Sequence, residues 1–258
     1  MSASVRLHVE TQGTGPVVVL AHGFGGSARN FRAQAKALRD VCQVVLYDAR
    51  GHARSEAPTD PEAYAFERLI DDFERIADET GAPRIIAGGL SMGAATALAF
   101  ARRRPERIAG LVLASLPNPN ARREWATGFA AALDAEGAEA AGAKFVWGET
   151  SRFDPAGAKL IRLGFLEHPP HAMAALLRNT LAVLPDPAEV AAELSIHAVP
   201  ALVIAGAEDG GSIDPSERTA RVLPESEIVI VPGAGHVVNL SAPAVFNEHV
   251  KTLLARSK

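Results

Sequence analysis

Short, continuous runs of apolar residues rich in Val, Ile and Leu constrain the fold of this chain more than any other feature. A strand with one face in solvent alternates polar and apolar residues, whereas a strand buried on both faces, as in a parallel sheet, is apolar throughout. Residues 5–9 alternate, which predicts an antiparallel edge strand. The continuous runs predict buried parallel strands at residues 17–21, 44–46, 84–88, 110–114, 201–205 and 227–231.

Segments with apolar residues at helical spacing separate these runs. Residues 62–80 have this pattern, and residues 92–104 form an Ala-rich helix that ends before a proline. Asp214, followed by Pro, Ser and Glu, is typical of a helix start, and Ser241 is predicted to cap the last helix. Strands and helices in alternation predict an α/β fold with a doubly wound, mostly parallel sheet.

One long segment interrupts this alternation. Residues 117–194 contain helical patterns and no convincing strand, so we predict a helical cap inserted late in the sheet. Residues 1–116 and 195–258 then form the core. Because α/β proteins bind ligands beyond the carboxyl ends of their strands, the cap is expected to cover a ligand site. Its helical patterns span residues 120–142, 155–166, 171–184 and 187–194.

Charge and cysteine content argue against several functional classes. The formal net charge is -4, so the chain lacks the excess of positive charge that binding to nucleic acid or an anionic membrane would favour. Cys42 is the only cysteine, so neither an intrachain disulfide nor a cysteine-based metal cluster can form. The apolar runs are far shorter than the ~20 residues of a membrane-spanning helix, and the first ten residues lack a signal-peptide block. These features favour a cytoplasmic protein.

The sequence Gly-Leu-Ser-Met-Gly at residues 89–93 lies between a predicted strand and the Ala-rich helix. A G-x-S-x-G sequence in this position predicts a nucleophile elbow, a tight turn that holds the serine in a strained conformation. The flanking glycines remove Cβ atoms that would clash in such a turn. The Oγ atom of Ser91 would then lie near a helix N-terminus, whose amides favour developing negative charge.

A serine nucleophile needs a base, and the base needs a carboxylate that fixes its tautomer. His236 follows the predicted strand at residues 227–231, and Asp209 follows the strand at residues 201–205. Both side chains are thus expected at the carboxyl ends of strands. Asp214 is the alternative acid, although its sequence context favours the start of a helix.

A glycine-rich sequence, His-Gly-Phe-Gly-Gly, follows the first buried strand at residues 22–26. Such a turn can direct a backbone N–H group at an oxyanion, so we predict an oxyanion hole formed by the N–H groups of Phe24 and Met92. The alternative is a strand-to-helix turn without a catalytic role. We interpret His22 as a residue that organises the turn, and His168 in the cap as a surface or loop residue.

Together these motifs resemble the α/β-hydrolase superfamily. The resemblance includes Tyr-Asp-Ala-Arg-Gly-His-Ala-Arg-Ser at residues 47–55 and covers nearly the whole chain apart from the cap. The chain order of Ser91 as nucleophile, Asp209 as acid and His236 as base is the order found in this superfamily. The resemblance also implies a mostly structural role for the loop that contains Asp48 and Arg50. Epoxide hydrolases and haloalkane dehalogenases of this fold use an aspartate where this chain has Ser91. The resemblance therefore favours the serine esterase and lactonase branch with a helical cap.

The resemblance implies an enzyme that cleaves a small carboxylic ester or lactone in two acyl-transfer steps, without a metal ion or organic cofactor. The alternative is hydrolysis of a carbon–carbon bond in a β-diketone or ring-fission product, because cap arginines such as Arg122, Arg123 or Arg178 could reach the site. A non-catalytic ligand-binding member of the fold is a third hypothesis. The residues predicted to contact the substrate are Phe24, Trp125, Phe129, Trp147 and Val237.

Overall fold

The computed structural model describes residues 4–148 and 155–257. Its strands are β1 (Val9–Gln12), β2 (Val17–Ala21), β3 (Gln43–Tyr47), β4 (Ile85–Leu90), β5 (Ile108–Ala114), β6 (Ala201–Gly206) and β7 (Ser226–Val231). They form one sheet in the order β1-β3-β2-β4-β5-β6-β7, in which β1 is antiparallel to β3 and the other neighbours are parallel. The predicted doubly wound, mostly parallel sheet is therefore confirmed.

Helices flank the sheet and fill most of the connection between β5 and β6. They are α1 (Arg32–Leu38), α2 (Phe66–Glu79), α3 (Met92–Arg103), α4 (Pro119–Gly142), α5 (Pro155–Leu166), α6 (Pro170–Asn179), α7 (Pro187–Ala192), α8 (Gly210–Val222), α9 (Val238–Ser241) and α10 (Pro243–Arg256). Short 3-10 helices lie at Ala28–Phe31, Pro61–Tyr64, Pro105–Arg107, Leu181–Val183 and Ser195–His197, and a π-helical turn at Ala143–Trp147. Among residues 4–148 and 155–257, no helix combines the length and the apolar character needed to cross a membrane.

The central strands are buried on both faces, as their continuous apolar sequences predict. In β2, Val18 and Leu20 pack into a hydrophobic cluster that includes residues of α1 and α10. Val17 and Val19 point the other way, into a larger cluster with α2, α3 and several helices of residues 117–194. Each fully buried aliphatic side chain of this kind contributes about 1.5–3 kcal/mol. The sheet is therefore a rigid support for the loops at its carboxyl edge.

The strand order creates a topological switch point between β2 and β4. From β2 the chain passes to β3 on one side and then crosses to β4 on the other side. Ala21, the last residue of β2, pairs with Gly89 near the end of β4, so the two following loops begin at the same level. Doubly wound folds bind ligands in the crevice at such a point. We therefore expect the functional site beside the ends of β2 and β4.

The described part of residues 117–194 is helical, as the sequence predicts. Within it, α4 contacts α6, whereas α7 contacts α3 and α8 beside the sheet. Gly137 interrupts the helical geometry of α4 with φ 81° and ψ 171°. Residues 149–154 of the predicted cap lie outside the described residues. The division into a core and a cap at these boundaries stays a prediction.

The predicted edge strand is displaced along the chain. Residues 5–8 do not join the sheet, because they hydrogen-bond the loop after β3. The Asp48 amide, for example, donates to the carbonyl oxygen of His8 at 2.9 Å. Pairing with β3 begins at Val9, so the prediction of a strand at residues 5–9 is wrong in its boundaries.

The predicted helix start at Asp214 is wrong. Helix α8 begins at Gly210, directly after Asp209, and Asp214 lies inside it. Glycine is a weak helix former, but packing of α8 against α7 and β6 outweighs this local preference. The Pro-Ser-Glu sequence that suggested a start therefore lies within the helix.

Two other helix boundaries differ from their predictions. The helix predicted at residues 62–80 is divided at Ala65, whose extended backbone (φ -58°, ψ 143°) separates the 3-10 turn from α2. Ser241 does not cap the last helix, whose N-cap is Ala242. Ser241 ends α9, its hydroxyl donates to the carbonyl oxygen of Val237 at 2.9 Å, and α10 begins with Pro243. Proline is favoured at a first helical position because its missing N–H group would have no acceptor there.

Candidate active site

Ser91 lies in the turn between β4 and α3 with a strained backbone. Its φ of 54° and ψ of -113° are a sparsely populated combination that costs about 1–3 kcal/mol for a residue with a side chain. The N–H group of Ser91 donates to the carbonyl oxygen of Ala114 in β5 at 2.9 Å. The sheet thus holds the strained residue in place, in the strand-turn-helix context that a nucleophile elbow requires.

Close approach of the backbone explains the two glycines of this turn. A Cβ atom at Gly89 would lie 2.4 Å from the carbonyl oxygen of Ala21, and one at Gly93 would lie 2.1 Å from the same oxygen. A backbone oxygen at the end of a central strand cannot move aside as a flexible side chain can. The turn therefore fits tightly against the end of β2, beside residues 22–26, which we name the glycine turn.

Two buried histidines hold the glycine turn. His52 accepts a hydrogen bond through Nε2 from the N–H of Gly25 at 3.1 Å. His22 accepts through Nε2 from the N–H of Ala49 at 2.9 Å, and its Nδ1 donates to the carbonyl oxygen of Gly23 at 2.7 Å. Burial lowers the pKa of His22 to about 4, so the ring is neutral at pH 7, as an acceptor must be. The interpretation of His22 as an organiser of the turn is confirmed.

The amides of Phe24 and Met92 lie on the two segments that meet beside Ser91. Met92 is the first residue of α3, where an N–H group has no acceptor within the helix. In the described part of the chain, no backbone acceptor binds the N–H of Phe24. A Cβ atom at Gly23 would lie 3.6 Å from the Cβ of Ser91, so the glycine turn touches the elbow. Both amides remain available to an oxygen bound beside Ser91.

His236 and Asp209 meet on the loops that follow β7 and β6. Nδ1 of His236 donates to Oδ2 of Asp209 at 2.7 Å. The approach of the two loops depends on Gly206, where a Cβ atom would lie 2.2 Å from the carbonyl oxygen of Ala234. A histidine that donates through Nδ1 presents Nε2 as its basic atom.

The ionisation of Asp209 suits this hydrogen bond. Burial raises the pKa of Asp209, but the hydrogen bond from His236, the charge of His236 and, less strongly, the charge of Arg122 outweigh it. The pKa therefore lies below its ordinary value, and Asp209 is a carboxylate at neutral pH. Asp214, the alternative acid, is 68% exposed and pairs with Arg218 at 2.9 Å on the surface of α8.

Aromatic rings cover the glycine turn. The ring of Phe24 makes edge-to-face contacts with three rings of α4 and α5 at centroid distances of 5.9–6.3 Å. Phe129 is fully buried among them and stacks on Phe145 at 5.0 Å. Trp147 contacts Phe165 at 5.5 Å. We name this group the aromatic cluster: Phe24, Trp125, Phe129, Phe145, Trp147 and Phe165.

The aromatic cluster includes four of the five residues predicted to contact the substrate. Val237 is not among them, because it packs against the hydrophobic cluster on the opposite face of the sheet, with α1 and α10. Phe165 contacts Phe24 although it was not predicted as a site residue. No local pattern distinguishes Phe165 from other helical phenylalanines, because its contact depends on the position of α5 over the glycine turn.

His168 lies in the loop between α5 and α6, as one of the two predicted alternatives has it, but it is buried, so the surface alternative is wrong. It is 4% exposed, between α5 and α6, and its Nδ1 accepts a hydrogen bond from the N–H of Ala53 at 2.9 Å. Its ring lies 4.9 Å from that of His52. A lone histidine before two prolines gives no sequence pattern from which this contact could be predicted. His168 therefore connects the loop between α5 and α6 to the loop after β3.

The loop after β3 has the structural role that the resemblance implied. Arg50 binds Asp72 of α2 through two hydrogen bonds of 2.7 and 2.9 Å, and both side chains are buried. Asp48 accepts a hydrogen bond at 2.7 Å from the N–H of Ala28, two residues after the end of the glycine turn. These contacts hold the loop after β3 against the segment that follows the glycine turn.

Comparison with known protein families agrees with this geometry. The family model for the alpha/beta hydrolase fold matches residues 16–151, which is more than half of the chain and includes both the glycine turn and the elbow. The chain belongs to the α/β-hydrolase family.

Individual relatives extend the similarity over the whole chain and are named as hydrolases. The chain is 31% identical to a putative carbamate hydrolase, RutD, of Variovorax paradoxus, over 97% of this chain and 96% of that protein. A thermophilic esterase of Thermogutta terrifontis, solved with malate bound, matches with a TM-score of 0.85 and 30% identity over 98% of this chain and 94% of that one. An enol-lactonase of Burkholderia xenovorans LB400 matches with a TM-score of 0.84 and 27% identity over 97% of each chain. The protein is an enzyme of the α/β-hydrolase type.

Proposed function

We propose that the protein is a serine hydrolase that cleaves a carboxylic ester or lactone, with Ser91 as nucleophile, His236 as base and Asp209 as the acid of the triad. The observation that carries this proposal is the 2.7 Å hydrogen bond from His236 to Asp209, at the same edge of the sheet as the strained turn at Ser91. The hydrogen bond leaves Nε2 of His236 free to accept the serine proton.

The proposed reaction has two acyl-transfer steps. Oγ of Ser91 attacks the carbonyl carbon while its proton passes to His236, and the N–H groups of Phe24 and Met92 bind the oxyanion. His236 then protonates the departing alkoxide, which leaves an acyl-enzyme. In the second step water gives a proton to His236 and its oxygen attacks the acyl carbon. The bond between the acyl carbon and Oγ of Ser91 then breaks, His236 returns the proton to Oγ, and the carboxylic acid is released. Asp209 stabilises the imidazolium in both steps.

The surroundings of the site support a small organic substrate. The aromatic cluster presents Phe24 directly after Gly23, so an apolar part of a substrate would lie near the reacting carbonyl. The names of the three relatives refer to the hydrolysis of a carbamate, an ester and an enol-lactone. Each of these hydrolyses breaks a bond at an acyl carbon. The proposed triad performs that common step.

Hydrolysis of a carbon–carbon bond in a β-diketone or ring-fission product is a second candidate. This reaction expels a carbanion, so it needs a cation or additional hydrogen-bond donors to polarise the ketone. Arg122 in α4 provides one observation in its favour, because its charge acts on the pKa of Asp209 across the site. An alkoxide leaves far more easily and needs only the proton held by His236.

A substrate panel distinguishes the two candidates. We expect the highest kcat/KM among aryl esters, carbamates and lactones, and much weaker turnover of vinylogous diketones. Ser91→Ala should reduce kcat by a factor on the order of 10⁶. Ser115→Ala is a matched control, because Ser115 is also buried with a positive φ (47°) and follows the neighbouring strand β5. A diketone cleaved with a higher kcat/KM than the best acyl substrate would establish the second candidate instead.

A further inference from the structure

We propose that Arg122 binds a carboxylate group of the substrate, so that the preferred substrates are esters or lactones that carry a negative charge. This inference rests on the proposed function and specifies its substrate class.

Arg122 lies close to the proposed reaction centre. It belongs to the first turn of α4, and its guanidinium carbon lies 5.0 Å from the centroid of the Trp125 ring. Trp125 in turn contacts the ring of Phe24 at 6.3 Å. The guanidinium is therefore separated by one indole ring from the residue whose N–H is proposed to bind the oxyanion.

Arg122 differs from two other cap arginines, Arg123 and Arg178, because its guanidinium has no hydrogen-bond or ion-pair partner among the described residues. Among the described residues, no carboxylate lies within 4.0 Å of its guanidinium and no acceptor hydrogen-bonds it. The neighbouring Arg123 donates through Nε to the carbonyl oxygen of Ala182 at 3.3 Å. Arg178 forms an ion pair with Asp134. Only Arg122 of these three retains its full set of donors for a ligand.

The burial of Arg122 makes a free cation there unfavourable in the absence of an anion. The residue is partly buried, and this burial lowers its pKa, although an arginine remains charged at neutral pH. A cation withdrawn from water without a counter-ion loses solvation that no partner restores. Asp209 offsets this only at longer range, because its Oδ2 already accepts a hydrogen bond from His236.

The contact with Trp125 leaves the donors of Arg122 usable. A guanidinium that lies over an aromatic ring interacts through its face, and its N–H groups point outward in the guanidinium plane. Those groups match the two oxygens of a carboxylate in a bidentate arrangement. A substrate carboxylate would thus supply the counter-ion that the chain itself does not.

Matched pairs of esters test this inference on either side of the reacting carbonyl. One pair is 4-nitrophenyl hydrogen glutarate and 4-nitrophenyl valerate, which differ by a carboxylate in the acyl part. The other pair is 4-acetoxybenzoate and its methyl ester, which differ by a carboxylate in the leaving group. Arg122→Met should lower kcat/KM on at least one anionic ester by about 10- to 100-fold, mostly through KM, as expected for a charge-assisted hydrogen bond. The neutral partner should change less than about threefold.

Two further variants provide the controls. Arg122→Lys keeps the positive charge but lacks the planar guanidinium that can bind both carboxylate oxygens. Its kcat/KM on the anionic ester should therefore lie between those of the unaltered protein and Arg122→Met. Arg123→Met removes the same charge from the same turn of α4 and should leave both pairs unchanged. Equal losses on anionic and neutral esters in Arg122→Met would overturn the inference, since Arg122 would then act through Asp209 or the fold. Unchanged kinetics would overturn it as well.

A binding measurement separates this inference from the proposed function. If the unaltered protein cleaves none of the four esters, the proposed function fails. Calorimetric binding of glutarate then decides the role of Arg122 alone. Binding that Arg122→Met weakens at least tenfold and Arg123→Met does not would support the carboxylate site. Equal binding by all three proteins, or no binding, would overturn it.

Discussion

Gly93→Ala should damage both the fold and the site, because the added methyl group meets backbone atoms. The new Cβ would lie 2.1 Å from the carbonyl oxygen of Ala21 and 2.7 Å from that of His22. Restoring ordinary contact requires the end of β2 and the start of α3 to separate by roughly 1 Å. Overpacking of this kind costs about 1–3 kcal/mol or more. The movement also shifts the glycine turn relative to Ser91, and a displacement of about 1 Å can cost a factor of about 100 in rate.

Thermal unfolding and kcat/KM on the best ester measure the two effects of Gly93→Ala. We expect a Tm lower by about 2–12 °C, since each kcal/mol shifts Tm by about 2–4 °C in a chain of this size, and kcat/KM at least 100-fold lower. Gly164→Ala is the matched control. Gly164 lies in α5 with no atom within 4 Å of an added Cβ, so the same substitution should stabilise the helix by up to about 1 kcal/mol. Normal stability and activity in Gly93→Ala would refute the tight fit of the elbow against β2.

Two more predictions concern the proposed acid and the buried His22. Asp209→Asn should lower kcat by about 10⁴-fold because His236 loses the acceptor that fixes its tautomer. Asp214→Asn should stay near normal, and the opposite result would transfer the role to Asp214. Burial lowers the pKa of His22 from 6.5, the value expected in the unfolded chain, to about 4 in the folded protein. As the pH falls from 6.5 to 4, His22 therefore gains a proton in the unfolded chain before it does so in the folded protein, which favours unfolding. The free energy of unfolding should drop by about 3 kcal/mol between pH 6.5 and 4 on account of this residue. Urea unfolding across that range should give a shallower slope for His22→Asn, and equal slopes would contradict the prediction.

The sequence is most informative where structure depends on neighbours along the chain. Continuous apolar runs predict the buried strands because a parallel sheet covers both faces of each strand. The turn at Ser91 is predictable for a similar reason, since its strand, glycines and helix are contiguous. The positions of Asp209 and His236 follow from one further rule, that the carboxyl ends of parallel strands share an edge.

Features that depend on distant contacts could not be predicted in this way. Residues 5–8 are diverted from the sheet by hydrogen bonds to the loop after β3. The burial of His168 could not be predicted, because it depends on the contact between the loop that joins α5 to α6 and Ala53. The start of α8 is set by packing against α7, and the isolation of Arg122 is visible only once the partners of Arg123 and Arg178 are known.

Covalent labelling tests the central proposal, a nucleophilic Ser91, most directly. An organophosphate or sulfonyl fluoride should add one adduct to the intact protein, and peptide mapping should place it on Ser91. Ser91→Ala should abolish both the adduct and the esterase activity while retaining a normal Tm, and Ser115→Ala should be labelled at the normal rate. An adduct on another residue, or an active and labelled Ser91→Ala protein, would contradict the assignment of Ser91 as the nucleophile.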